Sequence, residues 1–302
     1  MQIEFYGVRG SIATPGKETV RYGGNTSCVY VEASDGTQFI FDAGTGIRKL
    51  GEKLIAQVPP KEINLLFSHY HWDHIQGFPF FLPVYKKGQV INLWAAHLKD
   101  VNAHSVLTQM TNPHFPVPSD KLEAQVNLLS MDSGIVEIGN NKVYSKSLNH
   151  PGGGSAYRLE TPIGDMAYVT DNELDPPSKP TTTYVEWLNF LTNVDYLIHD
   201  AMYLDDELER IHGWGHSLIS QVLQLASDTN VKNLILFHHD PSRTDDQLDA
   251  IAKKSQEWMA RHNPECQVYV AKEGSKFLIS SDPKTNKSRI DNRMHDYISI
   301  LD

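Results

Sequence analysis

Cysteine is nearly absent: Cys28 and Cys266 are the only two in 302 residues. They lie far apart, outside any C-x-x-C pattern and beside apolar runs. That argues against a disulfide framework and predicts two buried thiols in a reducing compartment. No apolar run approaches the length of a membrane span, and the chain does not open on a basic segment followed by an apolar one. No membrane partner is expected, and the cytoplasm is the expected location. No Pro/Gly/Ser linker or low-complexity stretch divides the chain. One domain with insertions is expected over residues 1–281. A polar tail, 282–302, would follow, its late apolar patch at Tyr297–Leu301 packing on the domain or on a second subunit. Positive charge is also short. Lys and Arg number 27 against 37 Asp and Glu, a net charge of -10 with histidines neutral. Large nucleic acids are held by Lys/Arg stripes, so a large polyanion is not expected as a partner.

Hydrophobic residues make up 40% of the chain and charged residues 21%, enough for a sizeable core. The densest chemistry is Ser68-His69-Tyr70-His71-Trp72-Asp73-His74. It follows an apolar run, residues 63–67, that reads as a buried strand, and precedes a short helical turn broken at Pro79. Alternate residues of an extended loop point the same way, so His69 and His71 can share a metal. Asp73 and His74 lie past the bend and point elsewhere, as a second pair. Imidazoles and a carboxylate suit Zn²⁺, with Mn²⁺ or Fe as substitutes. A cluster of four ligands this dense argues for metal over an ordinary solvated turn.

Other candidates also sit where apolar strands end. Asp42 closes a strand beside Gly44 and Gly46; it either steadies a ligand imidazole from behind or caps a helix over 47–56. His150 ends strand-like sequence over 135–148 and precedes three glycines, which let backbone pass close to a ligand. Asp171 follows a hairpin over 156–170, where a carboxylate either bridges two ions or makes a turn. His216 opens an amphipathic helix over 218–227, near the positive end of its dipole, which disfavours a charged ring. A strand at 234–237 delivers His238 and His239. The segment from Asn112 to Pro118 has three prolines and no regular structure. It is a surface connection, or it folds over the metal loop with His114 and Phe115 facing the substrate. Further helices are expected at 99–111, 183–191 and 244–261, and strands at 2–9, 28–33, 38–42, 90–95, 196–200 and 267–271.

The pattern His69-x-His71-x-Asp73-His74, followed by His150, Asp171 and His238, resembles the metallo-β-lactamase superfamily over residues 2 to about 274. Gly215-His216-Ser217 and Ile198-His199-Asp200-Ala201 resemble motifs of its ribonuclease Z-like phosphodiesterases. The resemblance implies an α/β fold, the αββα sandwich of two mixed sheets packed face to face with helices outside. It also implies two Zn²⁺ ions per chain. His69, His71 and His150 would hold the first, Asp73, His74 and His238 the second, and Asp171 would bridge them. His238 is preferred to His239 because it directly follows the apolar strand. Such a pair of ions would generate a bridging hydroxide that attacks phosphorus in line, with Asp73 orienting it or taking its proton and His216 stabilising or protonating the leaving oxygen.

The protruding basic arm of ribonuclease Z is not evident, and the charge has the wrong sign for tRNA. The segments Gly7–Ser11, Tyr22–Ser27 and His238–Pro241 look more like members resembling cyclic-nucleotide phosphodiesterases. The leading expectation is therefore hydrolysis of a 3′,5′-cyclic mononucleotide to the nucleoside monophosphate, with Trp72, Phe115 and Tyr157 as base-stacking candidates and a homodimer as the assembly. The alternatives are a ribonuclease Z-like RNA endonuclease, a lactone or other ester hydrolase, and a metal-bound sensor without turnover.

Overall fold

A computed structural model describes residues 1–95, 104–111, 113–131 and 134–279. The expected tail, 282–302, and the first part of the expected helix over 99–111 lie outside the described residues.

Short alternating apolar runs make the strands. The first half contributes β1 (Gln2–Gly7), β2 (Cys28–Glu32), β3 (Gln38–Phe41), β4 (Ile63–Leu66), β5 (Val90–Ala95) and β6 (Gln125–Ser130). The second half contributes β7 (Ile135–Ile138), β8 (Asn141–Ser147), β9 (Ser155–Thr161), β10 (Gly164–Val169), β11 (Tyr196–Asp200), β12 (Asn233–Phe237), β13 (Gln267–Val270) and β14 (Lys276–Leu278). Among the described residues they form two seven-stranded sheets, in the orders β14-β1-β2-β3-β4-β5-β6 and β13-β12-β11-β10-β9-β8-β7. Each sheet is mixed. The pairs β3-β4, β4-β5 and β5-β6 are parallel in one, and β10-β11, β11-β12 and β12-β13 in the other; the remaining pairs are antiparallel.

Period-two alternation sends every second side chain between the sheets. Ile3, Phe5, Val29, Val31, Phe39 and Phe41 meet Tyr157, Leu159, Tyr168, Ile198, Ile235 and Phe237 there. The opposite faces of the same strands carry helices. Tyr30, Ile40, Leu65 and Leu93 pack on α1 (Ile47–Ile55), whose Ile47, Leu50 and Leu54 fall on one face. That layer also includes α2 (Trp72–Ile75) and α3 (His104–Thr108). The second sheet is covered by α4 (Tyr184–Leu191), α6 (Ile219–Asp228) and α7 (Asp245–His262), with Trp187, Val222, Leu225, Leu248 and Met259 buried against it, while α5 (Leu208–Ile211) packs on Met202, Tyr203 and Leu218. α4 and α7 open on capping boxes, Thr183 with Glu186 and Thr244 with Gln247, which satisfy first-turn N–H groups. Helix, sheet, sheet, helix is the expected layering.

Several local expectations change. The strand expected over 2–9 stops at Gly7, because the chain there presses on another backbone: a Cβ on Gly7 would lie 1.8 Å from the Thr26 carbonyl oxygen. The run over 135–148 is a hairpin, β7-β8, turning at Gly139, whose φ is +60°. The strands β6 and β14 were not foreseen; both are edge strands, and β6 is half exposed along its length, with an alternation that lasts only from Gln125 to Leu128. Asp42 is not a helix cap: the N-cap of α1 is Gly46, with no side-chain cap bond.

Candidate metal centre

Parallel strands end on one edge, and the candidate ligands hang from those ends. Asp42 follows β3, His69 to His74 follow β4, Asp171 follows β10, Asp200 ends β11 and His238 follows β12. Asp42, Asp171 and His238 take left-handed backbone angles, with φ of 61°, 51° and 58°. So does Ser11, at 61°. Of the six non-glycine residues with positive φ among those described, four are here, which concentrates backbone strain of about 1–3 kcal/mol apiece at one place.

His69, His71, His150 and Asp171 bring one donor atom each within 4.8 Å of one another, and so do Asp73, His74, Asp171 and His238. Asp171 belongs to both sets and divides its oxygens between them. Its Oδ2 lies 3.6 Å from His69 Nε2 and 3.8 Å from His150 Nε2, while its Oδ1 lies 3.2 Å from His74 Nε2 and 3.1 Å from His238 Nε2. Asp73 Oδ2 completes the second set, 3.2 Å from His74 Nε2 and 3.3 Å from His238 Nε2. The backbone N–H of Ser11 donates to that same oxygen at 2.7 Å. All seven residues expected from the sequence therefore converge.

His238 and His239 separate cleanly. The His239 ring turns away and donates from Nε2 to the Ala271 carbonyl at 2.8 Å. His238 is seated because residue 10 is glycine; a Cβ there would come within 2.4 Å of its ring.

Hydrogen bonds behind the ligands set their tautomers. Asp42 Oδ2 accepts from His74 Nδ1 at 2.8 Å, leaving Nε2 to face the second set. The same carboxylate accepts from the Ser68 backbone and hydroxyl and from the Tyr168 hydroxyl. His150 Nδ1 donates to the Gly215 carbonyl at 3.1 Å. Such partners orient ligand imidazoles and raise their basicity.

Electrostatics fit a cation. Burial, helped by His74, holds His69 well below the usual imidazole value, and burial pushes His150 down to about 4, so both offer lone pairs. Burial alone would raise Asp171 and Asp73, yet the surrounding imidazoles hold both well below the usual carboxylate range. Burial works against a charged His74, but Asp171, Asp73 and Asp42 outweigh it and hold that ring well above its ordinary value. The buried Nε2 of His69 has no hydrogen-bond partner. A buried polar atom of that kind, aimed into a ring of imidazole nitrogens and carboxylate oxygens, fits a metal-ligand role.

His216 stands beside both sets, its ring centroid 5.5 Å from that of His150 and 5.1 Å from that of His238. Its Nδ1 donates to Asp200 Oδ2 at 2.7 Å. Together with Asp171 and His238 this pair makes a third group of potential donors, but the pair spends its facing atoms on each other. The helix-dipole argument does not decide its charge. His216 lies outside α6, whose N-cap is Leu218. Burial lowers it, and the Asp200 carboxylate more than reverses that, to about 9.

The expected substrate contacts fare differently. His114 is exposed, and Phe115 packs edge-on against Phe80, centroids 5.6 Å apart. Among the described residues no contact joins either to the metal sets. Tyr157 lies between the sheets and donates to the Phe67 carbonyl, so it cannot stack on a base. Trp72 is 81% exposed, next to His71 and Asp73. Beside His150 is a cavity of about 200 Å³ walled by Pro151, Glu173, Pro176, Pro177, Lys179 and Gly213. The parts of Ser11 and Asp200 were missed, because each acts through a contact between distant loops; only Asp200, at a strand end, carried any local sign.

Two face-to-face mixed sheets with paired His/Asp sets on their strand ends define a metallo-hydrolase fold. A model of the beta-lactamase superfamily domain matches residues 37–239. The chain belongs to the metallo-β-lactamase superfamily. The ribonuclease Z of Halalkalibacterium halodurans is 27% identical over 265 residues, covering 73% of this chain and 83% of that protein. The crystal structure of the metallo-β-lactamase fold protein YhfI from Bacillus subtilis matches in fold with a TM-score of 0.65 at 16% identity, over 92% of this chain and 99% of that one. The short form of human tRNase Z matches with a TM-score of 0.61 at 17% identity, over 93% and 100%.

Proposed function

We propose that the chain is a metal-dependent phosphodiesterase. The observation that carries this reading is His216, held by Asp200 against the two metal sets yet with Nε2 uncommitted to either carboxylate set by any described hydrogen bond. His69, His71 and His150 would hold one ion, Asp73, His74 and His238 another, with one Asp171 oxygen toward each. The donor set suits zinc, with manganese or iron as substitutes. When bound, two such ions supply Lewis acidity toward the phosphoryl oxygens and ease ionisation of water near neutral pH. Asp73, steadied by the Ser11 N–H, is within reach to take the proton of the attacking water. The new P–O bond forms as the bond to the leaving oxygen breaks, and His216 supplies that oxygen with its proton.

We put a 3′,5′-cyclic mononucleotide first as substrate, opened to the nucleoside monophosphate. The net charge of -10 supports a small substrate over a folded RNA. A second reading, RNA cleavage at tRNA 3′ ends, is favoured by relatives named ribonuclease Z that span most of the chain.

The test is zinc-loaded protein against purine and pyrimidine 3′,5′-cyclic mononucleotides, cyclic dinucleotides, a precursor tRNA and a lactone, with products separated by chromatography. Mononucleotide turnover alone is the expected result. Cleavage of precursor tRNA only would replace it with the second reading, and lactone opening only would remove phosphodiester chemistry altogether. His216→Ala should keep both metal equivalents and lose ~10²-fold or more in turnover. Asp171→Ala should lose at least one metal equivalent.

A further inference from the structure

The three residues Asp171-Asn172-Glu173 fasten the metal sets to the loop that carries His216. The Asn172 N–H donates to Asp200 Oδ2 at 3.3 Å, the same oxygen that holds His216 Nδ1. The Asn172 carbonyl accepts from the Ser217 hydroxyl at 2.5 Å. The Glu173 carboxylate accepts from the Gly213 N–H at 2.8 Å and from the Gly215 N–H at 3.0 Å. Both neighbours of His216 in the chain are thus bonded to the two residues that follow Asp171.

Glu173 has little else to do. It is 4% exposed, and its nearest cationic candidate is His212, 3.9 Å away. A carboxylate is costly to bury and is retained only where hydrogen bonds satisfy it. Here both bonds go to a turn with little regular structure of its own. Gly213 and Gly215 have φ of +90° and +88°, conformations open to glycine without a Cβ penalty. A Cβ at Gly215 would lie 2.1 Å from His150 Nδ1, so the turn is also pressed against a metal-set imidazole.

We infer that Glu173 is a positioning residue: it holds the Gly213–Gly215 turn so that the His216 imidazole stays aligned with the Asp171 carboxylate between the two metal sets. The inference rests on the phosphodiesterase reading. The turn also meets the His150 ring, through the Gly215 carbonyl; the inference is that turnover depends on Glu173 through His216, with the metal sets left intact, which separates it from a carboxylate that only stabilises the fold.

The experiment is a double-substitution cycle on zinc-loaded protein with bis(p-nitrophenyl) phosphate and with the mononucleotide. Glu173→Ala should lower kcat about tenfold, leave KM within twofold and keep both metal equivalents. In a His216→Ala background the same change should cost nothing further. The His216 ring N–H proton bonded to Asp200 should be visible in ¹H–¹⁵N spectra of the wild type and broaden in Glu173→Ala. If the alanine variant does not fold, Glu173→Gln, which keeps the volume and one acceptor, should show the same pattern at smaller size. Losses that multiply, an unchanged His216 signal, unchanged kcat, or metal lost with activity would each overturn the inference. Absence of wild-type turnover on every phosphodiester would instead overturn the reading beneath it, and the spectra of metal-loaded protein would still report on Glu173.

Discussion

At the scale of the residue, His238 and His239 are neighbours with opposite surroundings. The first is stacked between His74 and His216, and the second is sealed in the core against the Ala271 carbonyl. Burial holds His239 down to about 3, against 6.5 for an ordinary imidazole. Between those values the unfolded chain binds a proton that the folded chain refuses. The stability contributed by the neutral ring is whole above pH 6.5 and is lost as pH falls toward 3. Between pH 6.5 and 5 the loss should be about 2 kcal/mol. His239→Gln removes the titration, so urea unfolding at pH 5 and pH 7 should differ by about 2 kcal/mol less in the variant than in the wild type. An equal pH dependence in the two would show that another group governs acid sensitivity.

At the scale of the element, the loop after β1 matters as much as the strand ends. It delivers Gly10 against the His238 ring and Ser11 against Asp73. Gly10→Ala should push His238 out of its set and leave one tightly held metal of two, read by elemental analysis after dialysis; two retained equivalents would show that the ring can yield. The sequence displays some of this machinery openly. His69 to His74 are legible because an apolar strand and an alternating loop are local patterns, and His150, Asp171 and His238 because each follows such a strand. Ser11, Glu173 and the Asp200–His216 pair join loops 16 to 62 positions apart, and no periodicity encodes a meeting of that kind. Asp42 was legible only as one of two alternatives until Ser68, Tyr168 and His74 were seen to converge on it. The strands β6 and β14 were illegible for different reasons: β6 is an edge strand with half-exposed side chains, and β14, although Phe277 is buried, is three residues long, too short to display a period.

At the scale of the whole molecule, charge separates the two substrate readings. Each phosphate held by a basic group adds to the salt dependence of binding, with a slope of about −0.7 per contact for single strands. For a cyclic mononucleotide, KM should change less than about threefold between 50 and 200 mM salt. A change of a hundredfold or more, measured on RNA, would mean that many phosphates are engaged and would favour the second reading in spite of the net charge of -10. The sheets carry one more consequence. Each contains three antiparallel pairs followed by three parallel ones, and β14, last of the described strands, supplies the outermost strand of the sheet that includes β1. The molecule is therefore one seven-strand plan written twice, with the text cut one strand into the first copy. Met1 N already donates to the Ile279 carbonyl at 2.9 Å. A circular permutant opened between β6 and β7, and joined from residue 279 to residue 1, would spell the two copies out in full, one after the other.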